Sequence, residues 1–533
     1  MERSSRAVRF LGRPVVLIAI VTLAAGWIRF VGLSRPDILV FDETYYAVDA
    51  CLYLNRPLAV CNAFKEDENK LKVPSEQSWV HPPLGKYMIA AGEAIYGVRP
   101  FGWRFSSALF GTLTVTLVAL IAYRLTRSAL WAGVAGVLLG VESLNFVQSR
   151  MSMLDIFEAF WVVAGFLFLV LDRQWIDRRQ TPSLEPVPLL ARSAGVPAGA
   201  VRSTAADAGE PPEELADQGP ALSYYEAGAA PTATWLRSPP ASYLPAPAPQ
   251  RVPSPIWRPW RFAAGAALGL ATAVKWSAVT ALAGAAILSF FWEIGRRRRA
   301  FRRSPIGEAM LQESLGLVLS FLFVPAVAYL ATYVPWLHEH GWSLRSLVGH
   351  HRDMWDFHAG LQARKPNGEL THPYQSEAWS WPFLRRPVAY FYEGTDTPPT
   401  SAEILGIGNP VIFWGSLFAI PFTVFAWARR RDWIAGVIAI GFLSQYLPWL
   451  AVSRPAFLFY MTPITPFMVL AGAYALRHLA HARLSTGARA FAPAAGFLVV
   501  LAVGVFAFFV PVLVGHVISR GAWNLRMWFP SWV

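Results

Sequence analysis

Long apolar stretches recur along the whole chain, and they constrain its fold more than any other feature. Eleven of them approach or reach the roughly 20 residues that an α-helix needs to cross a hydrocarbon core. They cover 14–33, 101–123, 129–143, 154–171, 261–275, 277–293, 312–334, 404–427, 433–451, 456–476 and 490–515. Because a backbone in lipid must satisfy its own hydrogen bonds, this pattern predicts an all-α integral membrane protein with about eleven crossings.

The distribution of charge argues against a soluble, nucleic-acid-binding protein. The net charge is +13, yet only 15% of the residues are charged and 54% are hydrophobic. The basic residues fall in short clusters between the apolar stretches, as in loops held on the cytoplasmic side of a membrane. We therefore expect membrane lipid, and no nucleic acid, among the partners.

The basic clusters also predict the topology, because they lie in the loops that follow the even-numbered crossings, and all of these loops are on one side of the membrane. They include Arg124, Arg173, Arg258, Arg296–Arg299, Arg429–Arg431 and Arg477. The amino terminus is then cytoplasmic and the carboxyl terminus external. Two large polar loops, 34–100 and 335–403, lie outside.

Two apolar segments have an alternative interpretation. The first, 14–33, could be a signal peptide, but its length of about 20 residues favours a retained anchor. The second, 260–293, could be one long helix or a hairpin of two short ones. Only the hairpin keeps the later basic loops on the cytoplasmic side, and it places Lys275 at an external turn.

The polarity of the chain indicates four regions: 1–180, 181–257, 258–303 and 304–533. The first and last are transmembrane regions that carry the two external loops, and the third is a hairpin with a basic cytoplasmic loop. The second is rich in Pro, Ala, Ser and Glu without apolar periodicity. Such a composition cannot bury enough surface to offset its ordering entropy, which predicts a disordered cytoplasmic insert without catalytic function.

Two adjacent carboxylates, Asp42 and Glu43, open the first external loop. They stand among aromatic residues in Phe41–Tyr46, at the expected depth of a lipid phosphate. A second cluster, His81–Lys86, starts an amphipathic helix that runs to Gly97 along the interface. Carboxylates here are either solvated loop charges or catalytic groups, and the aromatic setting favours catalysis.

Three basic residues break the charge rule that the rest of the chain obeys. Arg150 and Arg454 lie in short external turns, and Lys275 lies at the tip of the apolar hairpin. Each could snorkel or pair with a carboxylate such as Asp155. Three cations on one face instead favour a phosphate-binding site.

The second external loop contains clustered histidines, His350, His351 and His358, and a Trp-rich stretch, His372–Pro382. The histidine spacing fits no standard zinc pattern, so we expect no metal, with a divalent ion as the minor alternative. The Trp-rich stretch is typical of a headgroup region or of a sugar or peptide groove. The candidate sugar- or acceptor-binding residues of the two loops are His81, His372, Tyr374, Ser376 and Trp379.

The two cysteines of the chain, Cys51 and Cys61, both lie in the first external loop. Their separation excludes a CxxC motif. They are either two free thiols or, if the loop faces an oxidising compartment, a disulfide, and the predicted topology favours the disulfide.

Six segments resemble those of the protein O-mannosyltransferase family, in the same order and over nearly the whole chain apart from the insert. They are FDETYYAVDA (41–50), HPPLGK (81–86), SRMSMLD (149–155), AVKWS (273–277), HPYQSEAWSWP (372–382) and SRPAFLFYMTP (453–463). The loop 335–403 is too short for the large lumenal insertion of the eukaryotic members. The resemblance is therefore to the bacterial branch.

The resemblance implies a GT-C fold in the plasma membrane that moves one mannose, with inversion, from polyprenyl phosphate mannose to Ser or Thr hydroxyls on the outer face. No cofactor is implied, since the lipid-linked sugar is a substrate. Acceptor proteins, and the secretion translocon as a further candidate, are the implied partners.

The acidic pair of the family falls on Asp42 and Glu43, and its other positions fall on Lys86, Arg150, Lys275, His372 and Arg454. We expect Asp42 to act as the base and the cations to hold the phosphate. Glu43 then either orients the acceptor or balances local charge.

Two other functions fit parts of the pattern. A GT-C enzyme with a lipid or glycan acceptor would share the acidic loop and the basic turns. A transporter would place ionisable groups at mid-membrane and usually contain an internal repeat. Here the ionisable groups gather at the external face, which favours an enzyme.

Overall fold

The computed structural model describes residues 13–64, 80–179, 252–483 and 491–533, and the chain is mostly helical there. The helices of the first half are α1 (Pro14–Phe30), α2 (Glu43–Tyr53), α3 (Leu58–Cys61), α4 (Leu84–Tyr96), α5 (Pro100–Thr126), α6 (Ala129–Gly140), α7 (Ser143–Gln148) and α8 (Leu154–Asp177). Those of the second half are α9 (Pro259–Val274), α10 (Val279–Arg299), α11 (Pro305–Val318), α12 (Val324–Ala331), α13 (Val334–Glu339), α14 (Leu344–Gly360), α15 (Pro410–Arg430), α16 (Trp433–Trp449), α17 (Thr465–His481), α18 (Ala492–Leu513) and α19 (Arg520–Asn524). The predicted disordered insert lies almost wholly outside the described residues.

Each of the eleven predicted crossings overlaps a described helix. Among the described residues, six helical stretches are long and apolar enough to span a membrane: Pro100–Thr126, Leu154–Asp177, Trp276–Arg299, Pro305–Ala331, Pro410–Arg430 and Ala492–Leu513. Shorter apolar helices at α1, α6 and α16 add to the body. A polytopic helical membrane protein is thus confirmed.

The described part of loop 34–100 packs against the helical body. Helix α4 ends at Tyr96, and Gly97 has φ +84°, a conformation that glycine adopts without strain, so the predicted helix end is confirmed. Its residues Lys86 and Glu93 are buried, and α4 packs on α2 and α5.

The structure contains a small antiparallel sheet, so the expectation of an all-α chain is wrong in this region. Its strands are β1 (Val388–Asp396), β2 (Pro399–Gly406) and β3 (Ile518–Ser519), in the order β1-β2-β3. The predicted crossing from residue 404 therefore begins only at Pro410. The apolar residues before it are the buried face of β2, which hydropathy alone cannot distinguish from the start of a span.

Close packing brings α9 against the turn of π-helix that joins α11 to α12. A Cβ at Gly265 would lie 1.8 Å from the Ser320 carbonyl oxygen, and one at Gly269 would lie 2.5 Å from that of Pro325. Only glycine allows this approach. The small residues thus fix α9, and with it Lys275 at its end.

Buried ion pairs join α8, α10 and α11 to the start of α9 at the predicted cytoplasmic side. This charge cluster consists of Asp172, Arg258, Arg261, Glu293, Arg296, Arg297 and Glu313, all less than a tenth exposed. Arg258 pairs with Asp172 and, at 2.6 Å, with Glu293, while Arg261 lies 2.9 Å from Glu313. Several arginines predicted to be loop charges are therefore interior contacts between helices.

Candidate active site

A cavity of about 370 Å³ opens where the turn between α9 and α10 meets α14, the end of α16 and the following turn. Its lining comes from distant parts of the chain: His81, Lys275, Trp276, Ser277, Thr280, Trp355, His358, Ala359, Gln445, Pro448, Trp449, Val452 and Arg454. Two of the four predicted phosphate-binding cations, Lys275 and Arg454, are among them.

Lys275 is positioned by the break between two helices. Helix α9 ends at Val274, Lys275 has extended backbone angles, and a 3-10 turn follows at Trp276–Ala278. Its Nζ lies 2.8 Å from Oδ1 of Asp155 and 4.4 Å from the ring centre of Tyr460. The lysine is thus a buried cation with one close carboxylate counter-ion at the cavity wall.

Asp42 occupies the N-cap position of α2 and is half-buried. Burial raises its pKa to about 7, with Lys275 lowering the pKa and Asp155 raising it further. The Tyr46 hydroxyl donates to Oδ2 at 3.5 Å. Asp42 is not part of the cavity lining, but the two charges of the Lys275–Asp155 pair act on it directly. A carboxyl with a pKa near neutrality suits general base catalysis.

Glu43, its sequence neighbour, has a different environment. It is fully buried and forms a bidentate ion pair with Arg104, at 2.8 and 2.7 Å. The backbone N–H of Ser152 donates to the same carboxylate at 3.0 Å. Of the two predicted functions for Glu43, these contacts support charge balance rather than acceptor binding.

Arg150 caps a helix. Its guanidinium donates to the carbonyl oxygens of Ile28, Arg29, Val31 and Gly32, at 2.7 to 3.2 Å, in and directly after the last turn of α1. Carbonyls at a helix end attract cations. These contacts oppose the prediction that Arg150 holds the donor phosphate, because the charge rule detects a cation at this depth without revealing its partner.

The other two cations differ in position. Lys86 is buried on α4, with Nζ 3.0 Å from Oδ2 of Asp49, and it does not line the cavity. Arg454 lines the cavity and donates to Nδ1 of His358 at 3.1 Å. The structure therefore separates Lys86 from the phosphate-binding candidates.

His358 joins the two large polar loops, 34–100 and 335–403, at the wall of the cavity. Its Nε2 donates to the Val80 carbonyl at 2.9 Å, which leaves Nδ1 to accept from Arg454. Its ring lies 5.2 Å from that of His81. Burial and the nearby cations lower the pKa of His81 well below its usual range, so this imidazole is neutral at pH 7.

The Trp-rich stretch does not reach the cavity. The ring of His372 packs on Phe457, and the Ser376 hydroxyl accepts from the Trp381 indole at 3.1 Å. Tyr374 packs under Arg386 and Trp379 is half exposed. Among the predicted sugar- or acceptor-binding residues, only His81 lines the cavity.

Cys51 and Cys61 form a disulfide, as the topology favoured. Within the described ranges, no group of three or more His, Cys, Asp or Glu side chains is placed to hold a metal ion.

Sequence reasoning missed several cavity residues: Glu158, Ser277, Gln445 and Tyr460 line a small polar extension beneath Lys275. Asp155 also lines it, although the sequence suggested it only as a pairing partner for the external cations. The sequence does indicate Asp155 and Glu158 as site residues, because they are acidic residues three apart on one face of an apolar span. Ionisable groups at such positions are costly and usually functional.

The helical membrane body and the buried acid–lysine site together define a polytopic membrane enzyme. Residues 19–201 match the family described as dolichyl-phosphate-mannose-protein mannosyltransferase, and residues 343–532 match the C-terminal four-transmembrane region of protein O-mannosyltransferase. The chain belongs to the protein O-mannosyltransferase family and is a glycosyltransferase.

Curated relatives match over nearly the full length. The polyprenol-phosphate-mannose–protein mannosyltransferase of Mycobacterium tuberculosis is 31% identical over 98% of this chain and 92% of its own. The enzyme of the same description from Corynebacterium glutamicum is 26% identical over 96% and 92%. The Saccharomyces cerevisiae protein O-mannosyltransferase Pmt1-Pmt2 complex bound to the sugar donor is similar in structure, with a TM-score of 0.66, 13% identity and coverage of 98% and 93%. This likeness confirms the expected type of fold.

Proposed function

We propose that this enzyme transfers one mannose from polyprenyl phosphate mannose to Ser or Thr hydroxyls of proteins, with inversion, at the outer face of the plasma membrane. The observation that carries the proposal is the juxtaposition of a half-buried carboxyl, Asp42, with the Lys275–Asp155 pair beside an open cavity. The family membership supports the donor and the acceptor class.

Asp42 is the base in this proposal. A Ser or Thr hydroxyl is a weak nucleophile, so it must lose its proton as its oxygen bonds to C1 of the mannose. The proton passes to the Asp42 carboxylate, and the C1–O bond to phosphate breaks with its electron pair leaving on the phosphate. The leaving group is already an anion of low basicity, so the step needs no general acid.

Lys275 and Arg454 bind the departing phosphate. Both line the cavity, where a point-charge ammonium and a forked guanidinium can each donate to phosphate oxygens. Lys275 pairs with Asp155 and Arg454 donates to His358, and the remaining donor hydrogens of both cations are available for the phosphate oxygens.

The apolar surroundings of the cavity suit a lipid-linked donor. Trp355 and Val452 line the cavity and remain 62% and 39% exposed. Leu447, Leu450 and Val279, which neighbour lining residues in sequence, are about half exposed. Exposed apolar side chains at a membrane surface face lipid, so the polyprenyl tail can lie along them while its phosphate reaches Lys275.

The topology proposed for this chemistry has eleven crossings, a cytoplasmic amino terminus and both large loops outside. The sheet supports it, because β3 follows α18 and pairs with β2, which precedes α15. The two strands must lie on the same side of the membrane. The four helices between them, α15 to α18, satisfy that requirement, since their number is even.

The test is transfer of labelled mannose from polyprenyl phosphate mannose to a Ser/Thr peptide by the purified, reconstituted full-length protein. Asp42→Asn should lower the rate by about 10²- to 10⁴-fold, the usual contribution of a general base. Asp37→Asn, in the same loop but exposed, is the matched control and should retain activity. Full activity of Asp42→Asn would exclude Asp42 as the base, and label on lipid or glycan instead of peptide would favour the other acceptor class.

A further inference from the structure

A small polar extension of the cavity contains two acceptor atoms without a hydrogen-bond partner in the described part of the chain. Oε2 of Glu158 and Oε1 of Gln445 are both buried, and both residues line this extension. The two residues are 1% and 4% exposed, so water at the surface does not serve them. A buried unsatisfied acceptor is costly, and each one calls for an explanation.

The local contacts fix which way both acceptors face. The Ser277 hydroxyl donates to Oε1 of Glu158 at 2.7 Å, so the other oxygen is left over. The Gln445 amide nitrogen donates to the Gly441 carbonyl at 2.6 Å. Because that carbonyl can only accept, the amide oxygen must face the extension. The hydrogen bonds of both side chains therefore fix the direction in which each free acceptor oxygen points.

The extension continues the main cavity. Lys275, Ser277, Gln445 and Trp449 line both spaces. The extension measures about 10 Å³, enough for a single water-sized group such as one hydroxyl. Aromatic rings of Trp449 and Tyr460 border it, and such rings provide an apolar surface beside the polar groups.

We propose that Glu158 and Gln445 form a hydroxyl-recognition subsite for the sugar of the donor. One sugar hydroxyl occupies the extension, donates to Oε2 of Glu158 and accepts from Nζ of Lys275. An adjacent hydroxyl at the border with the main cavity donates to Gln445. Lys275 then contacts both the phosphate and the sugar, which couples recognition of the two parts of the donor.

Lys275 makes this geometry possible because an ammonium has three donor hydrogens. One is used by Asp155. The others remain for the phosphate and for the sugar hydroxyl. The inference rests on the proposed function for the identity of the donor, while the two oriented acceptors are observed independently of it.

The experiment compares polyprenyl phosphate mannose with its 2-, 3-, 4- and 6-deoxy analogues, using reconstituted wild-type protein and the Glu158→Gln variant. A hydrogen bond to a charged group is worth about a 10- to 100-fold effect. Wild type should therefore discriminate against at least one deoxy donor by about that factor in kcat/KM. Glu158→Gln should lose the same factor with mannose but little with that deoxy donor, so the discrimination disappears.

Glu93→Gln is the matched control. Glu93 is also buried, and both of its carboxylate oxygens lack a partner among the described residues, but it lies on α4 outside the cavity. The Glu93→Gln variant should discriminate against the deoxy donors as strongly as wild type does. If the extension holds an ordered water only, Glu158→Gln lowers the rate with every donor by the same factor, which overturns the proposal.

Two further readouts keep the test decisive. Wild-type protein that uses all four deoxy donors as well as mannose would overturn the proposal even if the variant fails to fold. Donor binding, followed as a shift of the thermal unfolding midpoint, gives the same comparison without turnover. Discrimination in binding without any transfer to peptide would refute the proposed function and leave the subsite standing.

Discussion

Arg104 and Glu43, 61 positions apart in the chain, form a bidentate ion pair that is almost completely shielded from solvent. Arg104 also donates to the carbonyls of Pro36 and Ile38. One arginine in α5 thereby holds the loop before α2, and with it the N-cap at which Asp42 stands.

Removal of the Glu43 charge should therefore lower the stability of the fold as its main effect. Glu43→Gln leaves Arg104 as a buried cation without its counter-ion, which typically costs about 3–5 kcal/mol. Thermal unfolding of the purified protein should show a clear decrease in the midpoint. The exposed pair Lys365–Glu369 is the control, and Glu369→Gln should change stability by less than about 1 kcal/mol. An unchanged midpoint for Glu43→Gln together with lost turnover would instead assign Glu43 to catalysis.

The activity should depend on pH through Asp42. A base works only when deprotonated, and burial raises the pKa of Asp42 to about 7. We expect kcat/KM to rise about tenfold per pH unit below pH 7 and to level off above about pH 8, because kcat/KM reports the ionisation of the free enzyme. A profile that is flat from pH 5 to 8 would contradict the assignment. The residual activity of Asp42→Asn should not show this rise of kcat/KM with pH.

Arg150 and Arg454 should respond differently to substitution. Arg150→Gln removes donors from the α1 carbonyls, so it should lower the unfolding midpoint but change the donor dissociation constant less than about threefold. Arg454→Gln removes a cavity cation and should weaken donor binding about 10- to 100-fold, as expected for a charged hydrogen bond. Isothermal titration with the polyprenyl phosphate donor measures both. Equal weakening in the two variants would restore Arg150 to the phosphate site.

The disulfide offers a test of topology. After reduction, Cys51 and Cys61 should react with a membrane-impermeant thiol reagent added to intact cells, since the loop is proposed to face outward. Both side chains are buried, so mild denaturation is needed for complete labelling. The signal should disappear in a variant with both cysteines replaced by serine. Labelling that requires lysed cells would place this loop, and Asp42 with it, on the cytosolic side.

Features that depend on local sequence could be predicted well. The helical body follows from runs of apolar residues, and the end of α4 follows from Gly97. The prediction of the disulfide required only the expectation that both cysteines lie on the outer side of the membrane. Strands β1 and β2 were missed because the consecutive buried residues at the end of β2 resemble the start of a transmembrane span in mean hydropathy, which favoured an early start for α15.

The site was predicted less well because its contacts join distant positions. A cation at the right depth is visible in the sequence, and so is a possible carboxylate partner, but the sequence does not show which cation meets it. Arg150 meets the end of α1, whereas Lys275 meets Asp155, which lies 120 positions away. Glu158 and Gln445 could not be paired either, since only the packing of α8 near α16 brings them to one pocket.

Asp172 lies five residues before the end of α8, and Arg258 lies at the N-cap of α9. Their ion pair therefore joins the end of the first helix to the start of the second. The two helices also pack closely against each other. At the opposite end of the same two helices, Lys275 directly follows α9 and pairs with Asp155 near the start of α8, so one ion pair at each end sets how α9 lies along α8 and thereby where Lys275 stands in the cavity wall.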